Sequence, residues 1–303
     1  MTSLHSYSMG DWPSLAPHRA VQRQLFGDKA SLLDDWYAEQ VSRVDDPGFA
    51  RLFSDHIDLE GVVSADYNHR FVKTAHGAML GGIRFYGQDI SRPFVRVIAH
   101  SFDDLAALAR VVAAEWSMFR PDLMALVVGP GEMPHKRALV DVTVHAARYG
   151  AMQPADGRVQ LKPFEAAEDA IDMIAARYRY LAQSNPALAR NVEPADEEDV
   201  RDWFNDGTLY AVHAADLADK PIGLIAVQDG AIDWIVGDEV GEEVVMPEHA
   251  GRGFAASAQR ALAAMQPKDR LMIGTIDGLN HASRISAERA GRPEVLRHIF
   301  VPL

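Results

Sequence analysis

Apolar side chains recur at helical spacing over residues 165–182, where Ala170, Ile171, Ile174, Ala175, Tyr178 and Leu181 fall on one stripe. A second, acidic helix is predicted over 194–204, with Val200, Trp203 and Phe204 inward. Residues 159–164 alternate like an edge strand that Pro163 ends. Further strands are predicted at 209–213, 222–227, 232–246 and 270–276, with a last one at 294–303. The first half is less regular. Residues 18–56 read as helical with a break at Asp45-Asp46-Pro47-Gly48, followed by strand-like runs at 70–75, 78–86 and 93–100. Ser101 is the expected N-cap of a helix over 102–119, and strands follow at 123–128 and 139–147.

A turn-rich connector, 150–157, separates the two series, so two domains are expected, 1–155 and 156–303. Both halves run helices, three strands, helix, strand, which predicts an α+β chain with a mixed, mostly antiparallel sheet in each half.

The most informative stretch is 242–255, Glu-Glu-Val-Val-Met-Pro-Glu-His-Ala-Gly-Arg-Gly-Phe-Ala. An apolar strand runs through a Pro into a two-glycine loop and then an Ala-rich helix. Such a turn presents free backbone N–H groups at a positive helix end, suited to a pyrophosphate. It is not a Walker loop, because no Lys-Ser/Thr pair follows Gly253. A dinucleotide fingerprint would need glycine at Ala256. Downstream, strand 270–276 leads into Asn280-His281-Ala282-Ser283 and a helix closed by Gly291.

These two motifs, in this order, resemble the acyl-CoA loop and following Asn-initiated helix of the GCN5-related N-acetyltransferases (GNAT). The loop pattern Gln/Arg-x-x-Gly-x-Gly/Ala reads here as Ala250-Gly251-Arg252-Gly253-Phe254-Ala255, with Ala250 in place of the usual Gln or Arg. The resemblance covers about 158–303 and implies a GNAT-type domain, with the first half a degenerate copy that carries no glycine loop between Ile98 and Leu105. It implies acetyl-CoA as donor, bound by the loop residues, by the main chain of Val244, Val245 and Met246 on a splayed strand, and by Asn280. Glu243 is the first choice of base, with Glu242 and Glu239 as alternatives; His281 is a further candidate. Alternation sends Glu242 and Glu243 to opposite faces, so at least one is expected in solvent. The family's Tyr position is Ala287, so Ser283 or solvent would protonate the leaving thiolate, if anything must. Gly291-Arg292 stands where the family has Gly-Phe.

Composition narrows the acceptor. With 303 residues, no cysteine and a formal net charge of −13, the chain excludes disulfides and cysteine chemistry and repels nucleic acid and anionic membranes. No apolar run approaches the roughly 18 residues of a membrane span, and no secretory leader is apparent, which gives a cytoplasmic expectation. The acidic field favours a cationic amine and demands local positive charge for CoA, for which Arg252 and Arg260 are candidates. The histidines show no metal-ligand spacing. The expected function is thus an acyl-CoA-dependent N-acetyltransferase of a small primary amine, monomeric or homodimeric, the first half closing the acceptor pocket. A protein N-terminal acetyltransferase and a non-catalytic CoA-binding protein are the alternatives.

Overall fold

The computed structural model describes residues 7–28, 30–217 and 220–303, and the chain falls into two units, Met1–Asp141 with Leu296–Leu303, and Val142–Val295. The break at 141/142 leaves the exposed connector 150–157 inside the second unit, not between the two.

The first unit opens with three helices, α1 (Ala16–Phe26), α2 (Leu32–Ser42) and α3 (Pro47–Ser54). The break foreseen at 45–48 is the start of α3, where the Asp46 carboxylate accepts from the Gly48 and Phe49 N–H groups and Pro47 occupies the first turn. Strands β1 (Arg70–Thr74), β2 (Gly77–Phe85) and β3 (Pro93–His100) pair antiparallel in sequence order. Helix α4 (Leu105–Glu115) then carries the chain to β4 (Leu123–Val128), which runs parallel to β3. The last strand of this sheet comes from the far end of the chain, where 297–302 pair antiparallel with β4. Met79, Ile83, Val95, Leu108, Val112, Trp116, Met124 and Ile299 fill the core between sheet and helix.

Ser101 does not cap α4. Its N–H and Oγ are spent on Ala78, which extends β2 pairing past the strand end, and the helix starts three residues after the expected point. The Asp104 carboxylate takes the cap, accepting from the Ala106 N–H at 2.9 Å.

The second unit takes one strand from the first half of the sequence, β5 (Leu139–Arg148). It continues through β6 (Val159–Pro163), α5 (Ala167–Ser184), a short α6 (Pro186–Ala189), α7 (Glu197–Asn205), β7 (Leu209–Ala214), β8 (Gly223–Ile232), β9 (Ile235–Val245), α8 (Phe254–Met265), β10 (Leu271–Asp277) and α9 (His281–Ala290). β11 (Glu294–Pro302) closes the chain. β6, β7, β8 and β9 pair antiparallel in succession, β9 and β10 run parallel, and β10 pairs antiparallel with β5.

Helices cover both faces of this sheet. α8 packs through Phe254, Ala258 and Leu262 against Ile225, Val227 and Met272. α5 and α7 pack through Ile174, Val200 and Trp203 against Leu224, Ala226 and Val244. Each unit therefore carries an antiparallel meander, a helix, a parallel strand and a final antiparallel strand, and in each the final strand belongs to the other half of the sequence. Among the described residues, no helix is long and apolar enough to cross a membrane.

Candidate active site

Three local features of the second unit converge on one cleft. The first is a break in the β8–β9 ladder. Pairing shifts between Ala226 (opposite Glu242) and Val227 (opposite Val240), which leaves Gly241 as an extra residue on β9. Glycine is required there by close approach, since a Cβ would come within 2.5 Å of the Trp203 ring of α7. The indole is itself fixed by donating from Nε1 to Gln228 at 2.6 Å.

The second is the separation of β9 from β10. Their parallel pairing covers only Asp238–Met272 and Glu239–Ile273, and beyond the bulge the two strands part. Met246 N–H bonds Ile222 O at 2.9 Å, so alternation turns the Glu242, Val244 and Met246 amides toward β8. Those of Glu243 and Val245 face the side that β10 has left. Of the three main-chain donors expected from sequence, Val245 alone points into the gap. Glu243 N–H points there too and is held by its neighbour's carboxylate, Glu242 Oε1, at 3.1 Å.

The third is the loop into α8. Gly251 and Gly253 sit at φ +74° and +81°, left-handed conformations that glycine alone adopts without strain, and a Cβ on Gly251 would meet nothing within 4 Å. Among the described residues no side chain caps α8, so its first N–H groups have neither an intrahelical nor a side-chain acceptor there. Ala250 is less available, because its N–H already bonds Pro247 O at 3.1 Å. Phe254 is buried, and two guanidinium groups approach its ring, Arg252 at 4.9 Å and Arg158 at 5.1 Å. Arg158 also donates to Arg252 O at 2.8 Å. Positive charge at this helix end thus comes from Arg158, which sequence reasoning missed because it lies 94 residues upstream, and from Arg252, which also pairs with Asp216 at 3.7 Å. Arg260, the other sequence candidate, is engaged by Asp156 at 3.3 Å and by Arg289 O.

Where the strands part lies a cavity of about 180 Å³, lined among others by Tyr178, Glu242, Glu243, Asp277, Asn280 and Ser283. The two glutamates do sit on opposite faces, but neither is a solvent-facing strand end. Glu242 is 9% exposed and accepts from Tyr178 Oη at 3.2 Å on the α5 face. Glu243, half-buried on the α8 face, accepts two bonds from Gln259 Nε2, at 3.1 and 2.9 Å. Burial raises its pKa to about 7, against the opposing pull of Arg292 and Gln259. Burial also raises Glu242 and Glu239 above the ordinary carboxylate range. Glu239 is not among the cavity-lining residues; it packs over Gly230.

The helix after β10 supplies the far wall. Asn280 caps α9, its Oδ1 accepting from the Ser283 N–H at 3.2 Å, and both residues line the cavity. His281 does not. It is exposed against Arg284 at the start of α9 and is not among the residues that line the glutamates' cavity. Ala287 is wholly buried core. A phenol is nevertheless present at the cleft, from a different element: Tyr178 of α5, which the sequence pattern assigned to an apolar stripe.

No family model matches the chain, and no curated protein matches it in sequence. Solved structures similar to it include GNAT acetyltransferases. One, from Sphaerobacter thermophilus, is 13% identical, covers 98% of this chain and 94% of its own, and has a TM-score of 0.48. A GNAT-family acetyltransferase from Colwellia psychrerythraea is 11% identical over 89% of this chain and 97% of its own, with a TM-score of 0.45. A tandem GNAT protein of the clavulanic acid biosynthesis pathway is 15% identical over 90% and 97%, with a TM-score of 0.38.

Proposed function

We propose that the second unit is an acyl-CoA-dependent N-acyltransferase, with acetyl-CoA as donor and a small primary amine as acceptor. The observation that carries this reading is Glu243, a carboxylate with a pKa near 7 in the opening between two parting strands, one of which leads straight into an uncapped glycine loop. The loop suits the donor's pyrophosphate. Its glycines leave room for close approach, the α8 donors are unspent, and Arg158 and Arg252 offset the chain's −13 charge locally. The cavity suits the reacting end in size and polarity.

The residues divide the chemistry as follows. Val245 N–H faces the gap and would polarise the thioester carbonyl, where charge develops on oxygen. Glu243 takes a proton from the ammonium form of the acceptor, leaving the nitrogen lone pair free to attack the carbonyl carbon. Its pKa near neutrality matches this task better than an ordinary glutamate, which is too weak a base. Gln259 fixes the carboxylate by two bonds and keeps its orientation during the transfer. The C–S bond breaks as the C–N bond forms. The nitrogen's second surplus proton leaves as the C–N bond forms and reaches the departing thiolate through solvent or by relay over a cavity hydroxyl, Ser283 or Tyr178.

Titration with acetyl-CoA followed by a thiol-release assay over an amine panel tests the reading. Binding with turnover of a primary amine supports it. Binding without turnover of any amine would assign a CoA-binding protein instead, and no binding would remove both.

A further inference from the structure

One charged group at this cleft has no role in the chemistry above. Arg292 follows Gly291, the left-handed residue (φ +90°) that ends α9, and its main chain is fixed on both sides. Its N–H donates to Ala287 O at 2.9 Å, and its carbonyl accepts from His145 Nδ1 at 3.0 Å. The side chain is directed inward over β10. Position 274 is glycine, and a Cβ there would lie 2.7 Å from Arg292 Nη1. Arg292 is 2% exposed and lines the cavity, yet its Nε and Nη1 have no hydrogen-bond partner among the described residues. Glu243 is the carboxylate whose charge acts on it most, but that carboxylate is held by Gln259.

A buried guanidinium with unspent donors is costly to fold unless something arrives to pair with it. The guanidinium fork matches a carboxylate, and the neighbouring glutamates disfavour a doubly charged phosphate in so small a space. We propose that Arg292 is the receptor for a carboxylate carried into the cleft by a substrate, making it a specificity-determining residue. This rests on the acyltransferase reading and extends it to substrate class. The carboxylate has two sources. It belongs either to the acceptor, whose amine would meet Glu243 as in an α-amino acid, or to the acyl group of a dicarboxylic acyl-CoA.

Steady-state kinetics on the full chain separate the sources. One arm compares alanine and glutamate with ethylamine, using acetyl-CoA; the other compares succinyl-CoA with acetyl-CoA, using one amine. The carboxylate-bearing member of one arm is expected to lead by roughly 10- to 100-fold in kcat/KM, the range for one charge-assisted hydrogen-bonded pair. Arg292→Gln, compared on the pH plateau above its own Glu243 limb because loss of the cation raises that carboxyl further, should erase that lead mainly through KM. Arg292→Lys, which keeps the charge and loses the fork, should restore part of it. Thermal stabilisation of the full chain by free alanine or succinate gives a reading independent of turnover, expected in the wild type and absent in Arg292→Gln. If neither arm shows a preference, or the preference survives in Arg292→Gln, Arg292 serves only to balance the buried glutamates and the proposal falls. Loss of acetyl-CoA binding and turnover with the alanine or succinate effect retained would instead overturn the acyltransferase reading alone.

Discussion

At the scale of single residues, Glu243 decides most. Glu243→Gln should lower kcat by roughly 10²–10⁴-fold near neutral pH, the usual range for loss of a general base, with acetyl-CoA affinity intact. The wild-type rate should climb as pH rises through about 7, where this carboxylate loses its proton, and the Gln variant should lack that limb. The linked effect on stability has the opposite sign. A carboxyl whose pKa is raised on folding contributes stability that is present below its unfolded value and lost as pH rises through the folded one. Glu243→Gln should therefore be at least as stable as the wild type at pH 8 by chemical denaturation, while being far less active. His145 provides the converse case. Burial lowers its pKa to about 4, so its contribution is complete above the free value of 6.5 and is lost as pH falls through 4. Between pH 7 and 5 this amounts to about 2 kcal/mol, and His145→Gln should flatten the acid slope of the denaturation midpoint by that order. Two adjacent glutamates before a glycine loop were visible in the sequence, and strand alternation assigned them to opposite faces correctly. What burial did to both was not visible, because Tyr178 and Gln259 reach them from helices 64 and 16 residues away.

At the scale of elements, the contrast between α4 and α8 carries the donor assignment. Both helices bridge a parallel strand pair, but the start of α4 is filled by the Asp104 carboxylate and that of α8 is open. The glycine loop and the Asn280 cap were legible because they are local: each depends on a few consecutive residues and on φ values that glycine permits. The bulge at Gly241 was not placed by sequence. A register shift is a property of two strands, and nothing in β9 alone states where β8 slips past it. Its contact with Trp203 yields a clear expectation. Gly241→Ala should destabilise the chain by about 1–3 kcal/mol by overpacking against the indole, measured by urea denaturation. A change within a few tenths of a kcal/mol would mean that the bulge is not pinned by that ring.

At the scale of the whole molecule, element order in both halves was readable from periodicity, whereas the assignment of final strands was not. β5 and the end of β11 each join the unit built mainly from the other half of the sequence. Hydrophobic pattern specifies that a strand is buried, not which neighbour buries it. The site-level consequence is asymmetric: two units of like element order, one open donor loop. Calorimetric titration of the intact chain with acetyl-CoA tests this most directly. The expected result is one site per chain, abolished in a folded Gly253→Val protein, whose side chain the left-handed backbone at 253 disfavours and whose bulk blocks approach to the α8 donors. Two sites per chain, or an affinity unchanged by Gly253→Val, would contradict it.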